Sequence, residues 1–427
     1  MNATLRHRLQ RDGTGWLVLG GALAGLGAYL FQIVGTRALG EADYAPISVL
    51  WTIQYLVLST VLVSIETVVT RDTLAQRERA DGAGRQPPRV WRTIVVVAVT
   101  LSAVCWLARD ALLGGSADLA LVVGLMVVSL GAFVIVRGRL AGAGRFKRYG
   151  LVTAAESLSR LGFAAVALSL SATVRSLAWI LPLGGAVAAW CGRGGRRGSD
   201  NPAPTVAPAG LAAGQQATGS GGSLAAITTA NVVTQVLLAG GPLVLVVLGA
   251  SPAEVSIFFV TVTAARVPVV LALGGVLSRL LPTFRKLARH EEGRRLRAVA
   301  VQITAAAALL AAVGAAAAAV VGSRVVALLF GATFAPPAAV VAGITAAVVL
   351  ATAGMLLNQV VVAQEREQRL LVPWLLAVAA AVLTLVVTEG LPPQRVTTAF
   401  VVAEVVALAG LLVVVLAPPS RPQPSTR

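Results

Sequence analysis

Apolar runs of about 20 residues recur along the whole chain, separated by short polar segments. Runs of this length match the hydrocarbon core of a bilayer, roughly 30 Å thick, when they are helical. Inside lipid only helices and closed barrels satisfy every peptide group, and the alternation of a barrel strand is absent. The pattern therefore predicts an all-α integral membrane protein. Its twelve predicted spans lie at 15–36, 45–70, 93–108, 117–136, 150–170, 176–192, 224–248, 255–281, 299–321, 337–362, 370–388 and 397–416.

One polar segment, at 193–223, is much longer than the others and is rich in Gly, Pro, Ala and Ser. Such a composition cannot bury enough apolar surface to offset the loss of chain entropy, so it predicts a flexible linker. The linker separates an N-terminal six-helix lobe at 1–192 from a C-terminal six-helix lobe at 224–416. A disordered tail at 417–427 follows.

The two halves are similar where their second helices begin. Residues 37–53 and residues 246–262 each contain Leu-Gly, a short polar turn and an aromatic residue that opens the next span. Two six-helix units that begin and end on the same side form parallel repeats, related by an axis along the membrane normal. We therefore expect two lobes related by a pseudo-two-fold axis, with a substrate path between them. Chance recurrence in a chain with 43 glycines is the alternative.

Charged residues make up only 12% of the chain, against 57% apolar residues, and the net charge is +17. Of the 35 Lys and Arg, 27 fall on the side that holds both termini, while five fall on the other side. Cytoplasmic loops collect Lys and Arg, so the termini, the linker and the tail are expected in the cytoplasm. The basic residues are not interleaved with aromatic residues as in nucleic-acid-binding surfaces. We expect anionic phospholipids as partners, and no nucleic acid.

The chain carries no recognisable catalytic motif. It has no GxxxxGK[ST] phosphate loop, and its only histidines, His7 and His290, are predicted in cytoplasmic segments. Cys105 and Cys191 lack CxxC spacing, so neither a disulfide framework nor a zinc site is expected. Acidic residues are scattered, whereas a membrane-embedded glycosyltransferase would need a cluster of them. We therefore expect no enzyme, no cofactor and no metal site.

Charged residues inside apolar spans are costly and mark candidate functional sites. Glu156 and Arg160 lie one turn apart, so they share a helix face, either in a cavity or as an ion pair that stabilises packing. Arg266, near the middle of the eighth span, is expected to face a water-filled interior, with snorkelling to the interface as the alternative. Glu404 in the twelfth span is either a proton or cation site or a partner for another helix.

Uncharged polar side chains also fall inside the spans. Asn231 and Gln235 lie one turn apart, ahead of a Gly-Gly-Pro sequence at 240–242 that should bend the seventh helix. Gln32 and Arg37 hold a comparable position in the first repeat. These four residues are candidates to line a central cavity and bond sugars, and interhelical bonding between packed helices is the alternative.

Two further patterns predict packing. Gly21 and Gly25 form a GxxxG pair, and residues 305–319 are mostly Ala, so both stretches are expected to be close-packed helix faces. Glu66, near the cytoplasmic end of the second span, is expected to pair with Arg71 at the membrane interface.

The predicted cytoplasmic loop at 136–150 carries five basic residues together with two aromatic ones. Such a loop suits anionic lipid headgroups or the pyrophosphate of a lipid carrier, and ordinary positive-inside charge is the alternative. The candidates for this headgroup contact are Arg139, Arg145, Lys147 and Arg148.

Three segments together are similar to one family. They are the turn LGEADYAPISVLWTI at 39–53, the loop GRLAGAGRFKRYG at 138–150 and the segment VVALLFGATFAPPAAVV at 325–341. In order and spacing they resemble the Wzx-like polysaccharide-transport flippases of the multidrug/oligosaccharidyl-lipid/polysaccharide (MOP) exporter superfamily. The sequence departs from the fourteen-helix members by lacking two helices and by its long Pro/Ala-rich linker.

The resemblance implies a V-shaped MATE/MOP-like transporter in a bacterial plasma membrane. Such a flippase moves a polyprenyl-pyrophosphate-linked oligosaccharide to the outer leaflet by alternating access, and envelope glycosyltransferases or a polymerase are its implied partners. Basic cavity residues are implied to meet the pyrophosphate, with Arg266 the best match, followed by Arg160 and Arg37. The alternatives are a cation-coupled multidrug antiporter, which needs Glu404 or Glu156, and a non-transporting scaffold with a filled centre.

Overall fold

The computed structural model describes residues 14–78, 88–193, 221–273, 284 and 293–418, and the predicted linker and tail fall outside this part except at their edges. Each of the twelve predicted spans has a helical counterpart. The helices are α1 Thr14–Asp43; α2 Ala45–Val57, continued by a π turn Leu58–Leu62 and Val63–Glu78; α3 Pro88–Leu107; α4 Ala117–Gly142; α5 Phe146–Leu170; α6 Val174–Arg193; α7 Gly221–Ala239 and, after a break, Gly241–Val247; α8 Pro252–Leu273; α9 Gly293–Ala317, continued by a π turn Ala318–Gly322 and Ser323–Phe330; α10 Ala338–Ala363; α11 Leu371–Val387; and α12 Pro392–Leu416.

Most of these helices are long enough and apolar enough to cross a bilayer. Within the described ranges ten helices meet both conditions, and α7, bent by 65° at its break, makes an eleventh. The described part of α8 ends at Leu273, ahead of the predicted end of its span. The prediction of an all-α, multi-spanning membrane fold is confirmed.

The two halves pack by the same helix pattern. In the first half, α1 packs on α5, α2 and α3 pack on α4, and α6 packs on α4 and α5. In the second half, α7 packs on α11, α8 and α9 pack on α10, and α12 packs on α10 and α11. Each of these five pairings in one half has its counterpart in the other, as two copies of a six-helix unit require. We call α1–α6 the N-lobe and α7–α12 the C-lobe.

The glycines of the two Leu-Gly turns both have a positive φ. Gly40 breaks the helical geometry near the end of α1 with a φ of 78°, and Gly249 follows α7 with a φ of 73°. A left-handed φ of this kind is accessible to glycine at little cost, which explains why glycine recurs in both turns. The next helices then begin at Ala45 and Pro252.

The lobes meet along α1 and α8. We call the side where α1 begins and α12 ends the terminal face, and the other side the opposite face. Near the opposite face the Ser256 hydroxyl donates to the Glu41 carbonyl. The Tyr29 hydroxyl donates to the Thr263 carbonyl at 2.8 Å. Both bonds join the N-lobe to the C-lobe.

Arg37 adds a third link at the opposite face. Its guanidinium donates to the carbonyl of Leu328, and its Nε donates to the carbonyl of Leu329 at 3.0 Å. These carbonyls lie in the last turn of α9, where no helical amide remains to pair with them. Arg37 therefore caps a C-lobe helix from the N-lobe.

A buried ion network holds the N-lobe together near the terminal face. Glu66 on α2, expected to pair with Arg71, forms a 3.1 Å salt bridge with Arg137 on α4. The Tyr149 hydroxyl on α5 donates to Glu66 at 2.9 Å and accepts from Arg137. The network joins three helices, so the buried charges are matched as well as hydrogen-bonded.

The alanine-rich stretch of α9 is packed less than the sequence analysis expects. Ala307 and Ala311 are buried, but the neighbouring Leu309 and Leu310 are 65% and 59% exposed. Exposed leucines at this depth belong in lipid. Most of α9 therefore faces the membrane, and only a narrow strip of small residues contacts the rest of the lobe.

Candidate functional site

A cavity of about 780 Å³ lies between the lobes. Its walls come from α1 and α2 of the N-lobe and from α7, α8, α11 and α12 of the C-lobe. Most of the lining side chains are apolar or aromatic. This volume falls in the range of about 300–1,000 Å³ typical of small-molecule sites. The polar lining residues are Tyr29, Gln32, Thr52, Tyr55, Thr263 and Arg266.

The break in α7 shapes the end of the cavity nearest the opposite face. Residues 240–244 line the cavity, and the chain bends there by 65°. The segment Gly241–Val247 then packs against α2, α8, α12 and the short helix Arg109–Leu112. It thus crosses from its own lobe to the N-lobe and covers the cavity on that side.

The same break leaves one carbonyl without its helical donor. In an unbroken helix the amide of residue 242 would bond to the carbonyl of Leu238, but Pro242 has no N–H. Arg266 on α8 supplies the missing donor, because its Nη2 bonds to the Leu238 carbonyl. A side chain from the next helix therefore stabilises the bend.

Arg266 also faces the cavity, as the sequence analysis expects. It lines the cavity, and its guanidinium carbon lies 5.2 Å from the centre of the Tyr55 ring. Its Nε is buried and bonds to no described atom. A guanidinium carries five N–H donors, so Arg266 keeps donors for an anion in the cavity.

Glu404 lies behind the cavity wall. It is 1% exposed, and neither carboxylate oxygen has a hydrogen-bond partner among the described residues. Its charge interacts with that of Arg266, although these two described residues form no salt bridge. Glu404 is thus a buried carboxyl group near Arg266 rather than a direct ligand of it.

Gln32 is the second predicted cavity residue that the structure places in the lining. It is 6% exposed, and its Oε1 has no hydrogen-bond partner within the described part of the chain. An unpaired buried amide oxygen is costly unless water or a ligand occupies it. Gln32 can therefore accept one hydrogen bond from the cavity.

Asn231 and Gln235 join the lobes instead of lining the cavity. The Asn231 side-chain amide donates to the Ser59 carbonyl at 3.3 Å, and the Tyr55 hydroxyl donates to Gln235 Oε1 at 3.1 Å. Both contacts run from α7 to α2. Interhelical bonding, the alternative raised from the sequence, describes these two residues.

Glu156 and Arg160 form a buried ion pair inside the N-lobe, and neither lines the cavity. Ser157 donates to the Glu156 carboxylate at 2.8 Å. The guanidinium carbon of Arg160 lies 4.9 Å from the centre of the Trp51 ring, and Trp51 itself lines the cavity. Arg160 is therefore one side chain behind the wall. Arg37, at the opposite face, is also outside the lining.

The basic loop between α4 and α5 lies at the terminal face. The Lys147 ammonium is 5.1 Å from the centre of the Trp16 ring, which places it near the start of α1. Arg139 is exposed, and Arg145 and Arg148 are half-buried. Gly144 in this loop has a φ of 70°, so the glycine serves a turn.

The GxxxG pair does not form the close contact that the sequence analysis expects. A Cβ added at Gly21 or Gly25 would meet no atom within 4 Å, and both residues line the cavity. The tight contact between α1 and α5 uses Gly20, where an added Cβ would lie 2.4 Å from the Gly150 carbonyl oxygen. The face of α1 that packs against α5 is therefore shifted by one residue from the predicted face.

No metal site is visible in the described ranges. They contain no group of three or more His, Cys, Asp or Glu that could hold an ion, and Cys105 and Cys191 are free thiols.

Solved structures share this architecture. An inward-facing multidrug resistance MATE family transporter of the MOP superfamily aligns with a TM-score of 0.64 and 13% identity, over 93% of this chain and 96% of its own. The chain has the MATE transporter fold. The outward-facing form of a multidrug resistance MATE family transporter aligns with a TM-score of 0.57 and 14% identity, over 95% of this chain and 94% of its own. The lipid II flippase MurJ in an inward closed conformation aligns with a TM-score of 0.61 and 10% identity, over 92% of this chain and 86% of its own.

The aligned structures share the fold at only 10–14% sequence identity. No protein-family model matches the sequence. No curated protein sequence matches it. The likeness therefore concerns the arrangement of the helices, and the chemistry of the cavity has to be argued from this chain's own residues.

Proposed function

We propose that the protein is a transporter that moves a lipid with an anionic head between the two leaflets of a membrane by alternating access. One observation carries the proposal: an apolar cavity between two similar lobes whose described lining contains one charged residue, Arg266. A phosphate head cannot cross hydrocarbon unaided, whereas its lipid tail need never leave it. A cavity that offers a cation and opens to lipid meets both needs.

The substrate class that we propose is a polyprenyl-pyrophosphate-linked oligosaccharide or a related envelope precursor. The resemblance of the sequence to Wzx-like flippases supports this class, and the fold shared with the MurJ lipid II flippase fits it. Few groups in the lining bond sugars, with Gln32 the clearest example. We therefore assign the phosphate, not the glycan, to the cavity.

The membrane orientation and the partners follow from the same proposal. We place both termini in the cytoplasm of a bacterium, because 27 of the 35 Lys and Arg lie on their side. Arg139, Arg145, Lys147 and Arg148 would then contact anionic headgroups at the cytoplasmic surface. The enzymes that build the glycan are the proposed partners, and a linker at 193–223 would join the two lobes.

Alternating access requires the contacts between the lobes to exchange. The lobes are linked by Tyr29 at mid-membrane depth and by Arg37 and Ser256 near the opposite face, each through a bond to a backbone carbonyl. A few hydrogen bonds of this kind, each contributing about 0.5–1.5 kcal/mol, can be broken within one transport cycle. The non-transporting scaffold fits less well, because it predicts a filled centre.

Arg266 carries two roles that one substitution cannot separate, so we test it together with Pro242. Arg266→Ala removes the cavity cation and also the donor to the Leu238 carbonyl. Pro242→Ala returns an amide N–H to the position that normally pairs with that carbonyl. We expect Arg266→Ala to slow lipid movement about 10- to 100-fold, because hydrogen bonds to charged groups contribute about 1.5–3 kcal/mol.

The measurement uses purified protein in liposomes and a fluorescent polyprenyl pyrophosphate whose outer-leaflet pool is quenched by dithionite. We expect the double variant, Arg266→Ala with Pro242→Ala, to recover thermal stability but to remain slow. Pro242→Ala alone is the matched control for the bend. Recovery of transport in the double variant would mean that Arg266 only stabilises the bend in α7. This result would overturn its assignment as the anion contact.

A cation-coupled antiporter is the second candidate, and one observation favours it. Glu404 is a buried carboxylate without a hydrogen-bond partner among the described residues. Such a group is a candidate to bind a proton or a metal cation during transport. Its substitution separates the two functions, as argued in the Discussion.

A further inference from the structure

We infer that the opening of the cavity between α1 and α11 is a binding site for one hydrocarbon chain attached to a phosphate, and that Gly21 and Gly25 set its width. This inference rests on the proposed function and deepens it. We call this opening the lateral mouth. We define it by the lining residues Gly21, Ala22, Gly25, Leu26 and Leu30 on α1 and Val378, Ala381, Val382 and Leu385 on α11.

The lateral mouth reaches the surface of the protein. Leu26 is 57% exposed and Val382 is 54% exposed, although both line the cavity. Leu26 lies about 18 Å along α1 from its first residue, and Val382 lies about 16 Å along α11 from its first residue. Both helices start at the terminal face, so the mouth opens near the middle of the bilayer. Only lipid chains are present at that depth.

No polar side chain interrupts the lateral mouth. Each residue of its described lining is glycine or aliphatic, and both helices satisfy their own backbone groups. A hydrocarbon chain gains little by moving from lipid into such a surface, because both surroundings are apolar. Shape, not hydrophobicity, must therefore decide which chain enters.

Gly21 and Gly25 provide that shape. They lie one turn apart on the same face of α1, and an added Cβ at either would meet open space. Helix packing does not explain them, because α1 contacts α5 through a different glycine, Gly20. Two missing side chains leave a shallow groove along the mouth, and a single chain can occupy it.

The mouth is continuous with the site of the anion. Its residues and Arg266 line the same cavity. A lipid whose phosphate binds Arg266 can therefore pass its chain out between α1 and α11 without leaving an apolar surface. The anion contact and the chain groove together would recognise a single-chain lipid phosphate.

Gly25→Leu tests this inference directly, because the larger side chain fills the groove without a clash. Leucine is also a better helix former than glycine, by about 1 kcal/mol, so the variant should remain folded. Gly162→Leu on α5 is the matched control: its Cβ also meets open space, but Gly162 does not line the cavity. We expect Gly25→Leu to slow movement of the fluorescent polyprenyl pyrophosphate about tenfold or more, because the leucine side chain occupies the space that the lipid chain would take and small size differences in an apolar site change discrimination by about 10- to 200-fold. Gly162→Leu should leave it unchanged.

Two further measurements decide what occupies the groove. Methyl pyrophosphate, which has a head and no chain, should bind wild type and Gly25→Leu equally well in titration calorimetry. A polyprenyl phosphate with a photoreactive chain should label α1 and α11 in wild type and lose this labelling in Gly25→Leu. Equal labelling by a photoreactive phospholipid would mean that bulk lipid fills the groove, and would overturn the inference.

The outcomes separate this inference from the proposed function. If wild type moves the polyprenyl probe and Gly25→Leu moves it equally fast, the chain site is wrong and the transport proposal stands. If wild type moves no probe, yet Gly25→Leu alone abolishes the labelling by the polyprenyl chain, the transport proposal fails and the chain site stands.

Discussion

Buried charges in this protein are usually matched by groups on the same or neighbouring helices. Arg137 bonds to Glu66 and Tyr149, and Arg160 bonds to Glu156 beside the Trp51 ring. Such matching offsets the cost of removing charges from water. Glu404 departs from this pattern, because its carboxylate accepts no hydrogen bond from any residue that the structure describes and interacts with Arg266 only at longer range.

Glu404→Gln keeps the shape of the side chain and removes its charge. If Glu404 only balances Arg266, its removal strengthens the field of Arg266, and we expect methyl pyrophosphate to bind about two- to tenfold more tightly. The rate of lipid movement should then respond to an imposed proton or sodium gradient as it does in wild type. Titration calorimetry and the liposome assay measure these two quantities.

The opposite result would favour the cation-coupled antiporter. In that case Glu404→Gln would lose the response to the gradient while still binding the anion. Asp118→Asn is the control, since Asp118 pairs with Arg175 at the start of α4 and does not line the cavity.

At the scale of single residues, the sequence shows how deep in the membrane a polar side chain lies, but not which way that side chain points. Arg266 could be assigned to the cavity because it lies at mid-span, and the structure places it in the lining. Arg160 and Arg37 lie at similarly informative positions, but one is behind Trp51 and the other caps α9. In lipid an apolar helix can turn any face inward, so periodicity does not show where its polar residues point. The bond from Arg266 to the Leu238 carbonyl could not be predicted either, because it depends on how the chain bends at Pro242.

The helices themselves were predictable, because each apolar run had to span the bilayer and little else could satisfy its backbone. The faces by which these helices pack against one another were harder to predict. On α1 both Gly20 and the Gly21–Gly25 pair offer small surfaces, and a shift of one residue rotates the face by about 100°. The partner helix decides between them: Gly150 on α5 comes close to Gly20.

Alanine substitutions on α1 distinguish the two faces. In Gly20→Ala the new Cβ would lie 2.4 Å from the Gly150 carbonyl oxygen, so α1 and α5 must separate. We expect a loss of about 1–3 kcal/mol in unfolding free energy. Gly21→Ala meets open space and should be neutral or stabilising by up to about 1 kcal/mol. Unfolding in mixed detergent micelles measures both variants, and an equal loss in the two would contradict this packing.

At the scale of the whole molecule, the helices within each lobe pack tightly, whereas the contact between the lobes is held by few hydrogen bonds among the described residues. Within each lobe the helices pack in one repeated pattern, and in the N-lobe a buried ion network joins three of them. Between the lobes the hydrogen bonds among the described residues are few and mostly end on backbone carbonyls, which different side chains can reach after a rotation. Motion is therefore expected between the lobes and not inside them.

A reversible cross-link at the opposite face tests that motion. Glu41 and Ser256 are joined by a hydrogen bond across the lobes, so Glu41→Cys with Ser256→Cys places two thiols on either side of the junction. The background carries Cys105→Ala and Cys191→Ser, which removes both native thiols. With a short cleavable thiol cross-linker we expect lipid movement in liposomes to stop and to return after reduction.

The matched control joins two helices of one lobe at the same face. Asp118 and Arg175 form a 3.1 Å salt bridge between α4 and α6, so cysteines at these positions should cross-link equally well. Because both helices belong to the N-lobe, this cross-link should leave transport unchanged if the lobes move as units. Continued transport with Glu41→Cys and Ser256→Cys linked would mean that the lobes never part at this face. Alternating access would then need a different moving element, and the bent end of α7, which crosses between the lobes, is the segment whose contacts could still exchange.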